Sequence, residues 1–432
     1  MKLIRNFSVL LSLMILIPSM NMQASSFTNK NDDTDTTKYS VYTGLILDAE
    51  EKTPLPFATI ECEGLNIATV SNIDGEFILK IPKEKSVEKI KISYIGYKNM
   101  VEELARFKSG KTEKIFLTPT SVNLKEVTVR IEDAQGLIGQ VLSNIRNNYS
   151  MEDMMMTAFY RETIKRKRNY VSISEAVVDI YKSAYNNEFR DDQAKLIQGR
   201  KSADVEKMDT VLFKIQGGPV TTLMLDVVKN PYILLSEEYY KIYNFHLTGV
   251  ISMNDRLHYV VSFNQKSHVT APFYNGKLYI DMDKLAITEA EFELNMDNEV
   301  EVAEMFIRKK PASMTVIPEK AAYRVKYTIT DDNKWYFSYA RGEVKFNVDW
   351  EKKLFNTSYS TMSEIAITDR SDAEAVKFPA KERFRRSQVL DEVVYVFFDQ
   401  DFWGSYNVIE PDQSIETAIK RLNRKFMKNE NE

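Results

Sequence analysis

Between residues 41 and 130, apolar positions alternate with polar ones, and turn residues interrupt the pattern every few positions. Such a period of two predicts short strands. Val41, Thr43, Leu45 and Leu47 fall on one face of the first strand, and an acidic turn, Asp48 to Lys52, follows. Pro54 and Pro56 bracket Leu55 and confine that segment to a sheet edge or bulge, because proline has no N–H for the ladder. Ala58, Ile60 and Cys62 then alternate with Thr59 and Glu61. Asn72-Ile73-Asp74-Gly75 is a tight turn that delivers the strand Glu76 to Ile81. Ile90, Ile92 and Tyr94 lead to Gly96-Tyr97, and Ile115 and Leu117 form a last strand before Pro119. The expectation for 41–130 is a small β-sandwich.

The period changes after Asp133. Leu137, Ile138, Val141, Leu142 and Ile145 recur at helical spacing, so 134–148 is read as one linking helix within 131–155, capped by Asp133 and stopped at Asn147-Asn148. From 156 to the end, long alternating runs return. Strands are expected at Thr157 to Ile164, Tyr170 to Tyr181, Tyr239 to Ile251, Leu257 to Asn264, Lys277 to Asp281, Ala286 to Leu294, Tyr323 to Thr330, Lys334 to Ala340, Glu343 to Trp350 and Thr357 to Ile367. The turns between them are read at Asn254-Asp255, Asn275-Gly276, Asp331-Asp332-Asn333 and Arg341-Gly342. Short turns make neighbours pair sequentially, and an antiparallel sheet of this width curls. Residues 182–236 break the pattern and are expected to be loop with one or two short helices, lying as a lid over one mouth of the sheet. Val393 to Phe398 reads as a strand buried on both faces. A final helix, 414–428, is expected from the stripe Ile415, Ala418, Ile419, Leu422 and Phe426, with Ser414 as its cap.

Composition changes this picture little. Apolar residues at 44%, charged residues at 28% and a formal charge of −4 are ordinary globular values and give no reason to expect nucleic acid. The N-terminus changes more. Lys2 and Arg5 precede the apolar run Val9 to Ile17, and small residues follow near Gln23-Ala24-Ser25, so 1–24 reads as a secretory signal peptide and 25–40 as a flexible linker. The chain is therefore expected to be exported. The single cysteine, Cys62, has no partner for an internal disulfide and is expected in the sandwich core.

The residues Gly44, Asp48, Pro54-Leu55-Pro56, Ala58-Thr59-Ile60, Ser71 to Phe77 and Ser93-Tyr94-Ile95-Gly96-Tyr97, with the closing segment Leu124 to Val129, resemble the carboxypeptidase-regulatory-like domain. That resemblance implies a prealbumin-like β-sandwich, an accessory module without catalytic residues, and a place among envelope proteins of Bacteroidota-type bacteria, which include TonB-dependent transporters. Further on, Tyr274 to Asp281 followed by Leu285-Ala286-Ile287 is similar to hairpins of periplasmic lipoprotein-carrier half-barrels. It implies a half-barrel-like curved sheet.

No catalytic constellation accompanies these elements. Three histidines, His246, His258 and His268, lack the Glu spacing of zinc peptidases, although His246 and His258 could face each other across a hairpin. The chain has no G-x-S-x-G, Walker loop or dinucleotide fingerprint. The acid pairs Asp191-Asp192, Asp281 with Asp283, and Asp399 with Asp401 are read as solvated turns. Charge on both faces of one strand (Arg161, Glu162) and at Glu291 and Glu293 argues against a membrane barrel. The expected protein is mainly β, not an enzyme, with no metal or cofactor. It is expected in the periplasm or at the outer membrane, binding an envelope protein, glycan or lipid. The alternative is a carrier that holds lipid or lipoprotein in an apolar concave sheet. Its ligand would meet Leu223, Leu225, Val227 and Tyr232 of the lid and Phe398 and Trp403 of the tail. Lys420, Arg421, Arg424 and Lys425 of the last helix are candidates for peripheral membrane contact, with the basic run Lys165 to Arg168 read as a hairpin tip.

Overall fold

The computed structural model describes residues 13–14, 38–108, 110–120, 133–186, 190–203, 214–236, 240–310, 312–351, 356–371, 373–396 and 402–430. Of the expected leader only Leu13–Met14 (β1) falls within this range, in parallel pairing with Ile307–Lys309. The rest of 1–24, the linker to residue 37 and the closing segment Leu124 to Val129 lie outside the described residues.

Seven strands build the N-terminal unit: β2 (Tyr39–Asp48), β3 (Thr59–Cys62), β4 (Ala68–Val70), β5 (Glu76–Pro82), β6 (Lys89–Ser93), β7 (Met100–Glu103) and β8 (Thr112–Leu117). They form a three-stranded sheet, β5-β2-β8, and a four-stranded sheet, β4-β3-β6-β7. Between the two lie Ile46, Ile60, Cys62, Phe77, Leu79, Ile90, Ile92 and Ile115. The face of β2 that enters this core is Tyr42, Gly44 and Ile46, opposite to the face that the apolar count of Val41, Thr43, Leu45 and Leu47 favours. Gly44 decides the matter: a Cβ there would lie 2.3 Å from the Phe77 ring, so the glycine admits the largest side chain of this core.

Two helices follow, α1 (Ala134–Ser143) and α2 (Ile145–Asn148), where one was expected; Asn144 separates them. Asp133 does cap the first, accepting from Gly136 N at 2.8 Å. The second unit contains β9 (Met154–Arg166), β10 (Asn169–Lys182), β11 (Gln193–Ala203), α3 (Gly218–Leu223), β12 (Tyr243–Met253), β13 (Arg256–Gln265), β14 (Tyr274–Asp281), β15 (Ile287–Leu294) and α4 (Glu299–Phe306). It continues with β16 (Ile307–Lys309), β17 (Met314–Ile329), β18 (Trp335–Trp350), β19 (Thr357–Ser371), α5 (Leu390–Val393), β20 (Tyr395–Val396) and α6 (Gln413–Glu430). Its sheet has the order β12-β13-β14-β15-β17-β18-β19-β9-β10-β11-β20, antiparallel throughout except for the β11–β20 edge pair. The chain enters in mid-sheet at β9 and walks out to β11. It then crosses one face to the far edge at β12 and returns by sequential hairpins until β19 closes on β9. The two edge strands do not pair, so the sheet is open and not a barrel.

A single apolar cluster takes side chains from all ten antiparallel strands, from Phe245 on β12 through Val325, Ile365 and Tyr160 to Ala194 on β11. Laid flat, ten strands would span about 48 Å. One cluster reaching both ends requires the sheet to curl around it, and the clustered face is the concave one.

Several sequence expectations fail for stated reasons. Asn275-Gly276 and Arg341-Gly342 are not turns but lie inside β14 and β18. Gly276 is there because a Cβ would sit 2.1 Å from the carbonyl of Glu291 on the next strand. Gly342 leaves room for the ring of Tyr323 opposite it. β11 arises inside the interval read as loop; its polar face pairs with acids of its neighbours, which hides the alternation. Val393 to Val396 is a helical turn and a two-residue edge strand, with Tyr395 exposed, in place of a doubly buried strand. Residues 397–398 lie outside the described range. The cap of α6 is Asp412, whose Oδ1 accepts from Ile415 N at 2.8 Å, and not Ser414.

Candidate functional site

The concave face is where a ligand was expected, and the chain itself occupies it. The crossing from β11 to β12 runs through 214–236, where Gly217 and Gly218 both take positive φ and turn the backbone into α3. A side chain at Gly217 would collide with Thr221 Oγ1 at 1.9 Å. From this turn Leu223, Leu225, Val227, Val228, Leu234 and Leu235 enter the cluster lined by the sheet, and α1 adds Leu137, Ile138 and Val141 beside them. A buried polar hub ties the crossing down. Asp226 accepts from Lys182 Nζ (2.6 Å) and Tyr185 OH (2.8 Å) through one oxygen, and from Tyr327 OH (2.7 Å) through the other. The second oxygen also accepts from the N–H of Val228 and of Lys229, closing a turn. Lys182 has a second partner in Asp192 at 2.6 Å. Burial alone would pull the Lys182 ammonium down, but the two carboxylates outweigh it and hold the lysine above its usual value. The crossing is thus a plug fixed by charge as well as by packing.

Of the residues expected to meet a ligand, Leu223, Leu225 and Val227 are fully buried parts of this plug. Tyr232 is half-buried at its end. Trp403 lies on the opposite, convex face, edge-on to Phe159 and under the guanidinium of Arg200. Phe398 is outside the described residues. The structure therefore separates Trp403 from the lid residues by the thickness of the sheet. Two cavities lie elsewhere, the first lined by apolar Phe57, Met362, Ile409 and Ile415 as well as by charged side chains. One of about 80 Å³ lies among Arg161, Lys165, Arg341, Glu364 and Asp412, and one of about 410 Å³ opens at the rim beside Asn144, Asn147, Asp283 and Lys284.

The convex face carries a feature that sequence reading missed. Glu291, Arg324, Arg341, Glu364, Arg161, Glu175 and Arg200 are directly opposite one another on seven successive strands, in one lateral row. Arg161 is fully buried, and each of its three guanidinium nitrogens makes a hydrogen bond: to Glu175 (2.8 Å), to Glu364 (3.2 Å) and to the carbonyl of Ile409 (2.7 Å). Glu175 accepts in addition from Arg200 at 2.8 Å, and Glu364 from Arg341 at 3.2 Å. The sandwich and the segment 402–412 cover this row. Phe57 takes a left-handed φ of 62°, stacks on Tyr339 at 5.6 Å, and lies between the guanidiniums of Arg324 and Arg341. Its carbonyl accepts from Lys326 Nζ at 2.7 Å. Asn407 bonds both the N–H and the C=O of Lys80 on β5, as an extra strand would. The sequence signal for the row existed, as charges at alternate positions, but only the register brings them together.

The other groups singled out from the sequence are paired, set apart or solvent-facing where they are described. His246 stands opposite Ser262 and His258 opposite Ile251, so the two do not face each other. Asp281 is bonded to Arg256 and accepts from Lys284 N at 2.8 Å, while Asp283 points to solvent. Asp192 belongs to the Lys182 pair and Asp191 to a surface pair with Arg386; Asp399 and Asp401 lie outside the described residues. Among the described residues there is no group of three metal-ligating side chains. Burial raises the Cys62 thiol to about 12, too high to form a thiolate in neutral water. One titratable group stands out. Glu162, on the concave face, is raised to about 8 by burial, despite the hydroxyl of Tyr160 at 2.8 Å, and Asp391 pushes it further. It lines neither of the two cavities described above.

Residues 42–129 match the family described as CarboxypepD_reg-like domain, which accounts for the sandwich and a fifth of the chain. Domains of that family are non-catalytic, and no enzyme family is indicated. No curated protein matches the chain. Among solved structures, the chain is similar to a DUF1329 family protein from Desulfovibrio piger at 13% identity and a TM-score of 0.21, covering 56% of this chain and 94% of that one. It is similar also to lipovitellin, at 11% identity and a TM-score of 0.24, covering 59% of this chain and 28% of that one. Among the described residues no helix is long and apolar enough to cross a membrane.

Proposed function

We propose that this chain is a non-catalytic protein of the cell envelope, exported to the periplasm or the outer membrane, which acts through surface contacts and carries no small molecule inside it. One observation carries the reading: the chain's own segments fill the concave face of the large sheet and cover the charged row on its convex face. The plug of 214–236 fills the concave side and is pinned by the Asp226 hub. The sandwich and the 402–412 segment lie over the charged row on the convex side. A carrier would need the concave apolar surface free, and Leu223, Leu225 and Val227, three of the residues named for that role, are packed against their own sheet. The family match of 42–129 supports the envelope setting and the absence of catalysis. Native mass spectrometry of the protein purified from its own envelope tests this. The expected result is the mass of the polypeptide alone; a lipid retained through purification would overturn the reading in favour of a carrier.

A further inference from the structure

Two basic segments far apart in the chain meet at one end of the large sheet. Lys165 to Arg168 form the tip of the β9–β10 hairpin, where Lys167 takes a left-handed φ of 55° and donates its N–H to Ser358 O at 2.7 Å. α6 lies beside that tip. Its Ile415, Ala418 and Leu422 pack on Tyr170 and Ile173 of β10. Arg421 donates to Asn169 Oδ1 at 3.1 Å and to Tyr170 O at 2.9 Å, which locks the helix to the hairpin. Arg424 follows one turn later, exposed. Among the described residues, none of Lys165, Arg166, Lys167, Arg168, Arg421 and Arg424 forms an ion pair with an acid, whereas Lys420 is neutralised by Glu416 at 2.5 Å. The chain as a whole is negative, so this is a local concentration of unpaired positive charge and not a general basicity.

The geometry points to a docking surface for a membrane rich in anionic phospholipid headgroups, built jointly by the hairpin tip and α6. The argument is charge complementarity constrained by packing. Among the described side chains of α6, the apolar Ile415, Ala418, Ile419 and Leu422 are spent on its own sheet and are not offered to acyl chains. What it and the tip can offer is a rigid array of cations at headgroup height, each contributing about 5-fold in affinity next to an anionic surface. Such a contact is reversible, weakens steeply with salt and is indifferent to chain length. The proposal rests on the envelope setting above, where such a surface is at hand.

The test is sedimentation of the full chain with phosphatidylcholine vesicles, with and without one quarter phosphatidylglycerol, at low salt. Binding is expected only to the anionic vesicles, and 0.5 M NaCl should release it. Lys167→Asn with Arg168→Gln, at the exposed tip, should weaken binding roughly 25-fold, as should Arg421→Gln with Arg424→Gln. Removing the self-neutralised pair by Glu416→Gln with Lys420→Gln should leave binding within about 2-fold. Equal binding to both vesicles, no binding at low salt, or full binding by the tip variant would each overturn the proposal. Binding to soluble dextran sulfate but not to vesicles would also overturn it, assigning the patch to an anionic polysaccharide. A lipid found inside the protein by native mass spectrometry bears on the plugged interior alone and leaves the vesicle result standing.

Discussion

Replacing Glu162 by Gln should stabilise the protein by an amount that grows with pH. In the folded chain this carboxyl, lying among Tyr160, Ser174 and Ser363 on the concave face, keeps its proton up to about pH 8, while in the unfolded chain it loses it near its ordinary 4.5. Between those values the folded state holds a proton that the unfolded state has released, so the wild type loses stability as pH rises through that window. Each pH unit is worth about 1.4 kcal/mol. The wild type therefore carries a penalty near zero at pH 4.5, roughly 3 kcal/mol at pH 7 and no more than about 5 kcal/mol above pH 8. Glutamine has no such proton, and its amide oxygen can still accept from the Tyr160 hydroxyl at the position now bonded at 2.8 Å. Urea unfolding followed by the fluorescence of Trp335, Trp350 and Trp403, for both proteins between pH 5 and 9, measures the difference directly. Glu61, which burial raises to about 7, titrates in both and cancels from it. A stability difference that stays flat across that range would refute the claim that Glu162 is folded in its neutral form.

The other expectations follow from the two covers. Asp226→Ala strips Lys182 of one carboxylate and leaves the Tyr185 and Tyr327 hydroxyls without their acceptor, so it should cost about 3 kcal/mol or more and make 214–236 an early site of limited proteolysis. Phe57→Ala removes the stack on Tyr339 and the contact with two guanidiniums; a loss of about 2 kcal/mol is expected, with the sandwich unfolding in urea ahead of the sheet, where wild type shows one transition. Phe57→Gly should recover part of that loss by relieving the positive φ. Cys62 should resist thiol reagents in the native protein and react at the rate of unfolding.

Much of the architecture is legible from the sequence because its causes are local. The period-two runs, Asp133 as a cap, the hairpin tip at Lys165 to Arg168 and the docking stripe of α6 each depend on a few neighbouring residues. Failures concentrate where a distant residue decides. Gly276 reads as a turn glycine until Glu291 is placed across from it. Gly44 makes the less apolar face of β2 the inner one only because Phe77 fills the space. β11 looks like loop because Lys195, Arg200 and Lys201 are polar, yet each has an acid waiting on a partner element. The candidate ligand residues share this origin: Leu223 to Val228 are apolar enough for a lid that meets a ligand, and only the crossing of the chain from one edge to the other shows that they meet the sheet itself.

The charged row changes the standing of the sandwich. Arg161, Glu175 and Glu364 lie on a face that would be solvated if the large sheet stood alone, yet they are as buried as the core, along with Phe159, Val177 and Tyr339. A buried arginine is tolerable only when its charge is paired and hydrogen-bonded, and one of the acceptors of Arg161 is the carbonyl of Ile409, in the segment the sandwich holds through Asn407 and Lys80. The row, the segment and the sandwich therefore depend on one another: remove any one and a charge is left buried without a partner or an apolar strip is exposed. The domain that matches residues 42–129 is here packed over the charged row of the sheet. It covers the charged row on the convex face, as the plug fills the concave one, and the unpaired cations gather at the rim of the sheet, where the membrane contact is proposed.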